Sequence, residues 1–514
     1  MLGRGVSVSR YRPWMQFLAL ALVFGISHGQ YPLYYFVQNQ YFLYGLARAD
    51  LGLLKNDWLA STTDPWPVFS WLVEFTYRYV DQRAFYVYYI VLLGIYAYSL
   101  LGIASRLTGI AASRTKYLLY LAVLVALHSP VSTYLSETLL GFNLSKELVE
   151  GVASQRILWD MFTPSAFGAL LLLSVHLFLR GRQLASLVSA VLAAVFHPVY
   201  TLSAAALVLA YLFIMLRRGE ATSRVARFAL TAGALIAPVV ISNLVLAAPT
   251  SPEVWREAQS ILVRLRLYHH AIPARWLGDL YVRIPLVLAA LYLVRRTEVF
   301  WIMLVSAVIA TGLTFVQVLT GSNTLALIFP WRLSVYLVPL STAIILAYGL
   351  PPLLDRLGKR LPAAQTVLTV LGIIVLVASF AAGAGATARR WQKSWGPESE
   401  PLLRFVSASK APGDIYLIPQ RWRYFRLATG APVFVDYWFV PYNDVAVLEW
   451  NKRLRLVDEF YAAAGESRCK LQREISVEYR VTHVVVTGQD TAACGNWKMV
   501  FENRDGRVYR VTPQ

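Results

Sequence analysis

Long apolar runs are the feature that most constrains this chain. Segments with few charges, each long enough at about 20 residues to cross roughly 30 Å of hydrocarbon, recur from Trp14 to Gly385 and stop beyond Arg389. Of the 514 residues, 57% are hydrophobic and 15% are charged, whereas about a quarter of the residues in a soluble domain are charged. The sequence therefore predicts a polytopic α-helical membrane protein.

About eleven transmembrane helices are predicted, followed by a domain of different composition. We expect a transmembrane domain at residues 1–386, with a long first outer loop at 30–84, and a soluble α/β domain at 387–514. Arg4 and Arg10 precede the first span and no small-residue cleavage site follows it, which indicates a retained anchor. The predicted spans are residues 14–29, 85–105, 116–134, 164–180, 183–196, 199–216, 226–247, 280–294, 298–319, 333–351 and 363–385.

The net charge of +19 lies in short basic clusters between the apolar runs. Cytoplasmic loops of membrane proteins have this bias, whereas a surface that follows nucleic-acid phosphates has its cations on one face. With a cytoplasmic N-terminus every short basic loop falls on one side, and an odd number of spans leaves the C-terminal domain outside. We therefore predict an integral protein of a prokaryotic inner membrane, in contact with membrane lipids and with no nucleic acid. The basic loops contain Arg106, Arg114, Lys116, Arg180, Arg182, Arg217, Arg218, Arg224, Arg227, Arg295, Arg296, Arg356, Lys359 and Arg360.

The spans at 183–196 and 199–216 are joined at His197 and Pro198. Proline removes a backbone donor, which favours a break and a tight helical hairpin here, with one long kinked helix as the alternative. His197 itself is interpreted as a buried histidine that has hydrogen-bond partners.

Three aspartates, Asp50, Asp57 and Asp64, lie seven residues apart in the first outer loop. Each either caps a helix or turn, or acts near the apolar membrane surface as a general base or metal ligand. Gly52 and Pro65 argue against one continuous helix through all three. The aromatic residues that precede them, between 31 and 44, predict a helix at the membrane interface.

Two further outward segments carry cations that suit a phosphate. Residues 251–279 include Arg264 and the pair His269-His270, although a polar helix that faces lipid head groups explains them equally well. Arg332 precedes a span, where it either snorkels to the interface or faces an inner cavity and binds an anion.

Elsewhere on the outer side, Arg156 and Asp160 are four residues apart, and we predict that they pair on one helical turn.

The C-terminal part alternates strand-like runs with a helix. Strands are predicted at 414–418, 431–437 and 481–486, a helix at 443–464, and a hairpin at 499–511 that turns at 504–506. Cys469 and Cys494 either form a disulfide or stay free, because the sequence gives no distance between them. The domain has no glycine-rich phosphate loop and no G-x-S-x-G elbow, so we expect it to bind or position substrates.

This architecture resembles the GT-C superfamily of polytopic membrane glycosyltransferases. The order of one span, a long acidic outer loop, about ten more spans and an outer C-terminal domain covers the whole chain. Similar pieces also occur in a bacterial branch of this type, namely Leu-Lys-Asn-Asp57-Trp58, His269-His270, Phe-Pro-Trp-Arg332-Leu-Ser, Phe425-Arg426-Leu and Val435-Asp436-Tyr437. The chain departs from the family in having no acid between Gly29 and Ala49.

The resemblance implies inverting transfer of a sugar from a polyprenyl-phosphate donor to a glycan, lipid or protein acceptor on the outer face. It implies an acid of the first loop as the base, with Asp57 first, then Asp64 and Asp50. The substrate would contact Trp58, and its phosphate would contact Arg332, Arg264, His269 or His270. The sequence identifies no definite cofactor, and a divalent metal stays an option. The alternatives are a transporter or flippase for a lipid-linked or anionic solute and a non-catalytic assembly factor, but ionisable residues within the spans and internal repeats, which a transporter favours, are not evident.

Overall fold

The helices of the membrane domain follow the apolar runs of the sequence. The structure is a computed structural model, which describes residues 12–246, 248–360, 364–393, 400–488, 494–504 and 506–512. The helices up to the C-terminal domain are α1 (Arg12–His28), α2 (Gln38–Arg48), α3 (Pro67–Tyr79), α4 (Ala84–Thr108), α5 (Arg114–Leu127), α6 (Pro130–Leu140), α7 (Leu144–Val149), α8 (Ala169–Leu179), α9 (Gln183–Phe196), α10 (Thr201–Arg217), α11 (Thr222–Leu246), α12 (Pro252–Ile261), α13 (Tyr268–Ala271), α14 (Leu280–Val294), α15 (Glu298–Thr320), α16 (Asn323–Ile328), α17 (Ser334–Arg360) and α18 (Ala364–Gln392).

Seven helical segments of the described chain are long and apolar enough to cross a membrane. An eighth candidate is the pair α5 and α6, which is bent by 71°, and three shorter apolar helices coincide with the predicted spans at 14–29, 164–180 and 183–196. Every predicted span therefore falls on a helix or on this pair, but the number eleven stays a prediction because those three are short for a full crossing. Residues 247 and 363, at the ends of two predicted spans, lie outside the described residues.

The break at His197 is confirmed, since α9 ends at Phe196 and a short 3₁₀ turn precedes α10. Two ion pairs join basic loops two by two: Lys116 Nζ lies 2.8 Å from Asp355, and Arg218 Nε lies 2.6 Å from Glu298. Each pair brings two of the basic loops side by side, whereas the common side of all the basic loops stays a prediction.

The first outer loop contains two helices with opposite environments. The prediction that the aromatic segment lies at the membrane interface is wrong for α2, whose Phe42 and Tyr44 are buried. Exposed aromatic rings occur instead on α3, where Trp71, Phe75 and Tyr79 follow one another with centroids 5.5 Å apart. Spacing of four residues places these rings on one face of α3, while α2 is covered by the rest of the molecule.

The C-terminal domain is a four-stranded mixed sheet with helices on both faces. Its order is β1-β2-β4-β3, with β1 parallel to β2 and the other pairs antiparallel. Val484 and Val486 pack against α21, whereas Val485 packs against α19, as the alternation of side chains along a strand requires. Its elements are α19 (Pro401–Ser409), β1 (Tyr416–Leu417), α20 (Phe425–Thr429), α21 (Asp444–Ala462), α22 (Gly465–Tyr479), β2 (His483–Thr487), β3 (Trp497–Glu502) and β4 (Gly506–Val511).

The predicted strand at 431–437 is wrong, because this segment makes only an isolated bridge from Val433 to Tyr416. The strand pattern is overridden by Asp436, which turns the chain by accepting hydrogen bonds from the amides of Trp438 and Phe439. The predicted hairpin and the helix capped by Asn443 are confirmed, although residue 505 of the turn is outside the described residues. Cys469 and Cys494 are joined in a disulfide.

The C-terminal domain docks closely on the first outer loop. Leu427 and Phe439 of this domain belong to the apolar core of the membrane domain. At the contact the Leu53 amide donates to the Gly430 carbonyl at 2.7 Å. A Cβ atom on Gly52, whose φ is +56°, would lie 2.5 Å from that carbonyl oxygen, so only glycine permits this approach.

Candidate functional site

A buried ion triad of Asp57, Arg426 and Asp436 connects the first outer loop to the C-terminal domain. Arg426 Nε lies 2.8 Å from Asp57 Oδ2, and its Nη1 donates to Asp436. Asp57 also accepts from the amides of Leu59 and Val433, both at 2.9 Å, and it is fully buried. Both of its oxygens are therefore occupied, and the geometry makes Asp57 a residue that holds the two domains together.

The triad contains two carboxylates and one guanidinium, so it has one negative charge in excess when both carboxylates are ionised. Burial raises the pKa of Asp436 to about 6, against the opposing effect of Arg426. A proton on this carboxyl makes the triad neutral, which lowers the cost of burying it.

The other two loop aspartates lie in different surroundings. Asp64 accepts from the amide of Trp66 at 2.9 Å and from the Ser70 hydroxyl at 3.1 Å, near the start of α3, and Arg48 Nη1 lies 3.2 Å from its second oxygen. Burial raises the pKa of Asp64. Asp50 is exposed and pairs with Lys55. The structure therefore separates the three aspartates, because the chain turns repeatedly between them.

Arg332 lies in a buried polar cluster between the membrane domain and the C-terminal domain. Only 9% of Arg332 is exposed, and across the described ranges its side chain has no ion pair or hydrogen bond. Three tyrosines, Tyr41, Tyr200 and Tyr442, lie near its guanidinium. We name Arg332 and its surroundings the Arg332 cluster, which consists of Tyr41, His197, Tyr200, His270, Arg332 and Tyr442.

The backbone before α17 sets the inward direction of Arg332. Phe329 has a left-handed conformation with φ of +53°, and a 3₁₀ turn at Pro330–Leu333 leads into the helix. The Ser334 hydroxyl then accepts the amide of Val152 at 2.8 Å, which holds the loop at 150–163 over this turn. The sequence alternative of an inner cation is thus the one that the geometry favours.

Aromatic rings form the wall of the cluster that faces the C-terminal domain. Tyr41 packs on Trp66 with centroids 4.6 Å apart, and Trp66 packs on Tyr442 at 5.5 Å. The amide of Gln40 donates to the Tyr442 hydroxyl at 3.4 Å. The Trp66 amide also donates a hydrogen bond to Asp64, so Asp64 is connected to the Arg332 cluster through Trp66.

His197 is buried as predicted, but the expectation that it has partners is wrong. Neither ring nitrogen has a hydrogen bond within the described residues, and its ring lies between Tyr200 at 5.0 Å and Tyr41 at 6.2 Å. A buried imidazole without partners is costly. It therefore marks a place where a further polar group fits.

The two adjacent histidines reach different surroundings. His270 contacts the Ala153 carbonyl through Nδ1 at 2.6 Å and lies beside Arg332. Burial, together with the charge of Arg266, lowers the pKa of His269 to about 4, so His269 is neutral at physiological pH. Arginines therefore supply the positive charge in this region.

Arg264 and Trp58 lie away from the cluster. Arg264 is exposed on a π-helical turn, Leu262–Arg266, whereas Arg266 on the same turn donates to the Trp438 carbonyl at 2.9 Å. Trp58 stacks under the Arg453 guanidinium, 4.1 Å from its ring centroid. Within the part of the chain that the structure describes, no group of three His, Cys, Asp or Glu side chains is placed to hold a metal ion.

Arg426 and Asp436 were not predicted as site residues, and the sequence signal that could have found them is a charged residue inside an apolar run. Arg426 and Asp436 both occur within the apolar segment at 424–440, and a buried charge needs a partner. Tyr41, Tyr200 and Tyr442 carry no such signal, because a tyrosine in an apolar run is equally expected in any membrane core.

Comparisons with known proteins give a partial match and a distant fold likeness. Residues 397–457 match a family described as a domain of unknown function (DUF6798). This stretch contains Arg426 and Tyr442, two of the residues through which the C-terminal domain contacts the rest of the chain. The sequence matches no curated protein. Among solved structures the chain is similar to ArnT from Cupriavidus metallidurans bound to undecaprenyl phosphate, with 12% identity over 98% of this chain and 100% of that chain and a TM-score of 0.49. A likeness at this level carries no residue role from that protein to this chain.

Proposed function

We propose that this protein is a membrane glycosyltransferase that takes a sugar from a polyprenyl-phosphate donor. The observation that carries the proposal is Arg332, a buried arginine without a carboxylate partner among the described residues. A cation is retained at such a position when it binds an anion, and guanidinium suits phosphate. The resemblance of the whole architecture to the GT-C superfamily supports transfer over transport.

The reaction is a displacement at the anomeric carbon. The acceptor oxygen bonds to that carbon as the bond from the carbon to the phosphate oxygen breaks, which inverts the configuration. The acceptor proton passes to a carboxylate, and the electron pair of the broken bond goes to the phosphate. Arg332 stabilises the charge that develops there.

Among the three loop aspartates, we now place Asp64 first as the base. Its second oxygen lies 3.2 Å from Arg48 Nη1, an arginine that is partly exposed, and accepts no backbone amide, while burial raises the pKa of Asp64, the direction that suits a general base. Asp57 is assigned to positioning, since Arg426 and two amides occupy its carboxylate. Asp50 is exposed and comes last.

The first test measures binding of polyprenyl phosphate by purified protein in nanodiscs. Arg332→Ala should weaken binding by about tenfold to a hundredfold, the effect of one lost charge-assisted contact. The matched control is Arg256→Ala, because Arg256 is 74% exposed on α12. Equal affinity for the wild type and Arg332→Ala would contradict the phosphate site.

The second test follows release of polyprenyl phosphate from a polyprenyl-phosphate hexose in membranes that contain the native acceptor. Asp64→Asn should slow release by about 10²–10⁴-fold without changing donor binding. Asp81→Asn is the control, since Asp81 is exposed and its side chain accepts a hydrogen bond from the Arg83 amide before α4. Donor binding without release by the wild type would favour a flippase or an assembly factor.

A further inference from the structure

A polar cavity is lined in part by the loop at 150–163 and shares no residue with the Arg332 cluster. It has a volume of about 320 Å³ and is bordered by the end of α1, the break between α5 and α6, and α7. Its lining includes five charged side chains, which are Lys146, Glu150, Arg156, Asp160 and Arg390. None of them belongs to the Arg332 cluster.

Two ion pairs line this cavity, and they differ from the predicted pairing. Arg156 pairs with Glu150 at 2.9 Å and Arg390 pairs with Asp160 at 2.8 Å. The predicted pair of Arg156 with Asp160 is wrong, because the segment between them is not helical. Lys146 has no ion pair in the described chain. Three cations against two carboxylates leave one positive charge in excess.

Several polar atoms in the cavity wall are buried without partners. Within the described residues, Glu150 Oε2, Arg156 Nε and Arg390 Nη1 make no hydrogen bond. Both guanidinium groups are held by aromatic rings, Arg156 over Trp159 and Arg390 over Tyr31, each at 4.1 Å. Buried polar groups normally have hydrogen-bond partners. Unpaired donors and an unpaired acceptor in one cavity wall therefore indicate a ligand that has both hydrogen-bond acceptors and donors.

The two acceptor carboxylates suit hydroxyl groups of a ligand, and the excess cation suits an anion. Burial raises the pKa of Glu150, against the effect of Arg156, so its carboxyl group also donates a hydrogen bond when it is protonated. The volume lies at the lower end of small-molecule sites and fits a head group or monosaccharide better than a long chain.

One side of the cavity adjoins a helix that suits contact with lipid. The α5–α6 pair is bent by 71° at His128–Pro130, and these residues line the cavity. On α6, Tyr134, Leu139 and Leu140 are exposed apolar side chains. A head group can therefore enter at the bend while its chains stay beside α6.

We propose that this cavity binds a phosphorylated polyol, supplied either as the glycerophosphate head group of an anionic lipid or as a free glycerol or sugar phosphate. The phosphate contacts Lys146 and the unpaired edges of Arg156 and Arg390. The hydroxyls donate to Glu150 and Asp160. This site is independent of donor binding at Arg332.

The test uses the full-length protein and two probes, phosphatidylglycerol in nanodiscs and free glycerol 3-phosphate, with phosphatidylcholine nanodiscs as the reference. Native mass spectrometry should show retained phosphatidylglycerol for the lipid source, and calorimetry should show glycerol 3-phosphate binding for the soluble source. Either result supports the proposal. Failure of both, with a Kd above about 1 mM for the soluble probe, overturns it.

Substitutions in the cavity lining test whether the probe binds in this cavity. Lys146→Ala should weaken binding about tenfold while the protein stays folded, because Lys146 has no partner to leave unpaired, and Lys146→Arg should restore it. Lys452→Ala, on the exposed surface of α21, is the matched control. Unchanged binding by Lys146→Ala overturns the site. Arg332→Ala should bind the probe as the wild type does, so a failed donor site and a failed cavity give different results.

Discussion

Arg426 and Arg332 are both buried arginines, and they differ in what surrounds the charge. Arg426 is 2% exposed and contacts two carboxylates, whereas Arg332 is 9% exposed and has none among the described residues. A buried cation with its counter-charges in place is a structural link. A buried cation without them is a place prepared for an anion from outside.

The largest expected effect is the loss of stability in Arg426→Ala. Removing the guanidinium leaves Asp57 and Asp436 buried beside each other without a counter-charge, which costs about 3–5 kcal/mol. Thermal unfolding of the purified protein should show a large drop in Tm, or the variant should fail to accumulate. A melting curve like that of the wild type would mean that the triad does not hold the domains together.

A variant that removes all three charges of the triad separates the effect of lost charge from the effect of lost packing. Asp57→Asn, Arg426→Met and Asp436→Asn together remove all three charges and retain most of the volume, so stability should return to within about 2 kcal/mol of the wild type. If the triple variant is as unstable as Arg426→Ala, loss of packing rather than of charge explains both.

Arg332→Met gives the opposite expectation for stability. Replacing an unpaired buried charge with an apolar side chain should leave the free energy of unfolding unchanged or raise it by up to about 4 kcal/mol. The Tm should stay the same or rise accordingly. Polyprenyl phosphate at about 100 times its wild-type Kd should stabilise the wild type by about 2.7 kcal/mol, and a variant that binds tenfold to a hundredfold more weakly by only about 1.4 to 0.4 kcal/mol. A variant that melts far below the wild type would show that Arg332 is paired in solution.

A smaller effect concerns pH. The pKa of Asp436, about 6, lies above its ordinary value of 3.8, so the folded protein binds more protons than the unfolded chain between these values. The contribution of this carboxyl to stability is therefore present below pH 4 and is lost as the pH rises through about 6. Asp436→Asn should flatten the dependence of Tm on pH between 4 and 7. The same slope in both proteins would assign it to other groups.

The smallest effect is expected at Asp50. Its carboxylate is 60% exposed and pairs with Lys55 and Arg78 at 3.4 Å, a geometry in which solvent screens the attraction. Asp50→Asn should change the free energy of unfolding by less than about 0.5 kcal/mol. A change of the size expected for Arg426→Ala would place Asp50 in the same buried network as Asp57.

Much of the secondary structure was predictable because each element depends on local pattern. The apolar runs gave positions for the membrane helices, Pro198 gave the break before α10, and Asn443 gave the start of α21. The strand prediction at 431–437 failed for a tertiary reason, since Asp436 turns the chain and pairs with Arg426, which is itself held by Asp57 from a distant part of the chain. The exposed aromatic face was predicted on the wrong helix because α2 is covered by α3 and its neighbours, where Phe42 packs on Phe69, Phe85 and Phe162.

The candidate site was predicted only in part. Arg332 was singled out from its position before a span, and His270 lies beside it, but Arg264 points away and Asp57 is occupied by Arg426. The pairing of Asp57 with Arg426 joins residues 369 positions apart. Hydropathy and local spacing contain no information on contacts of that separation.

The sequence by itself determined that this chain is a helical membrane protein whose C-terminal part mixes strands and helices, because hydropathy and helix signals act within about 20 residues. Only the tertiary structure decided which buried charges have partners. Whether an arginine is a link or an anion site depends on carboxylates brought from elsewhere in the chain, and Arg426 has them where Arg332 does not.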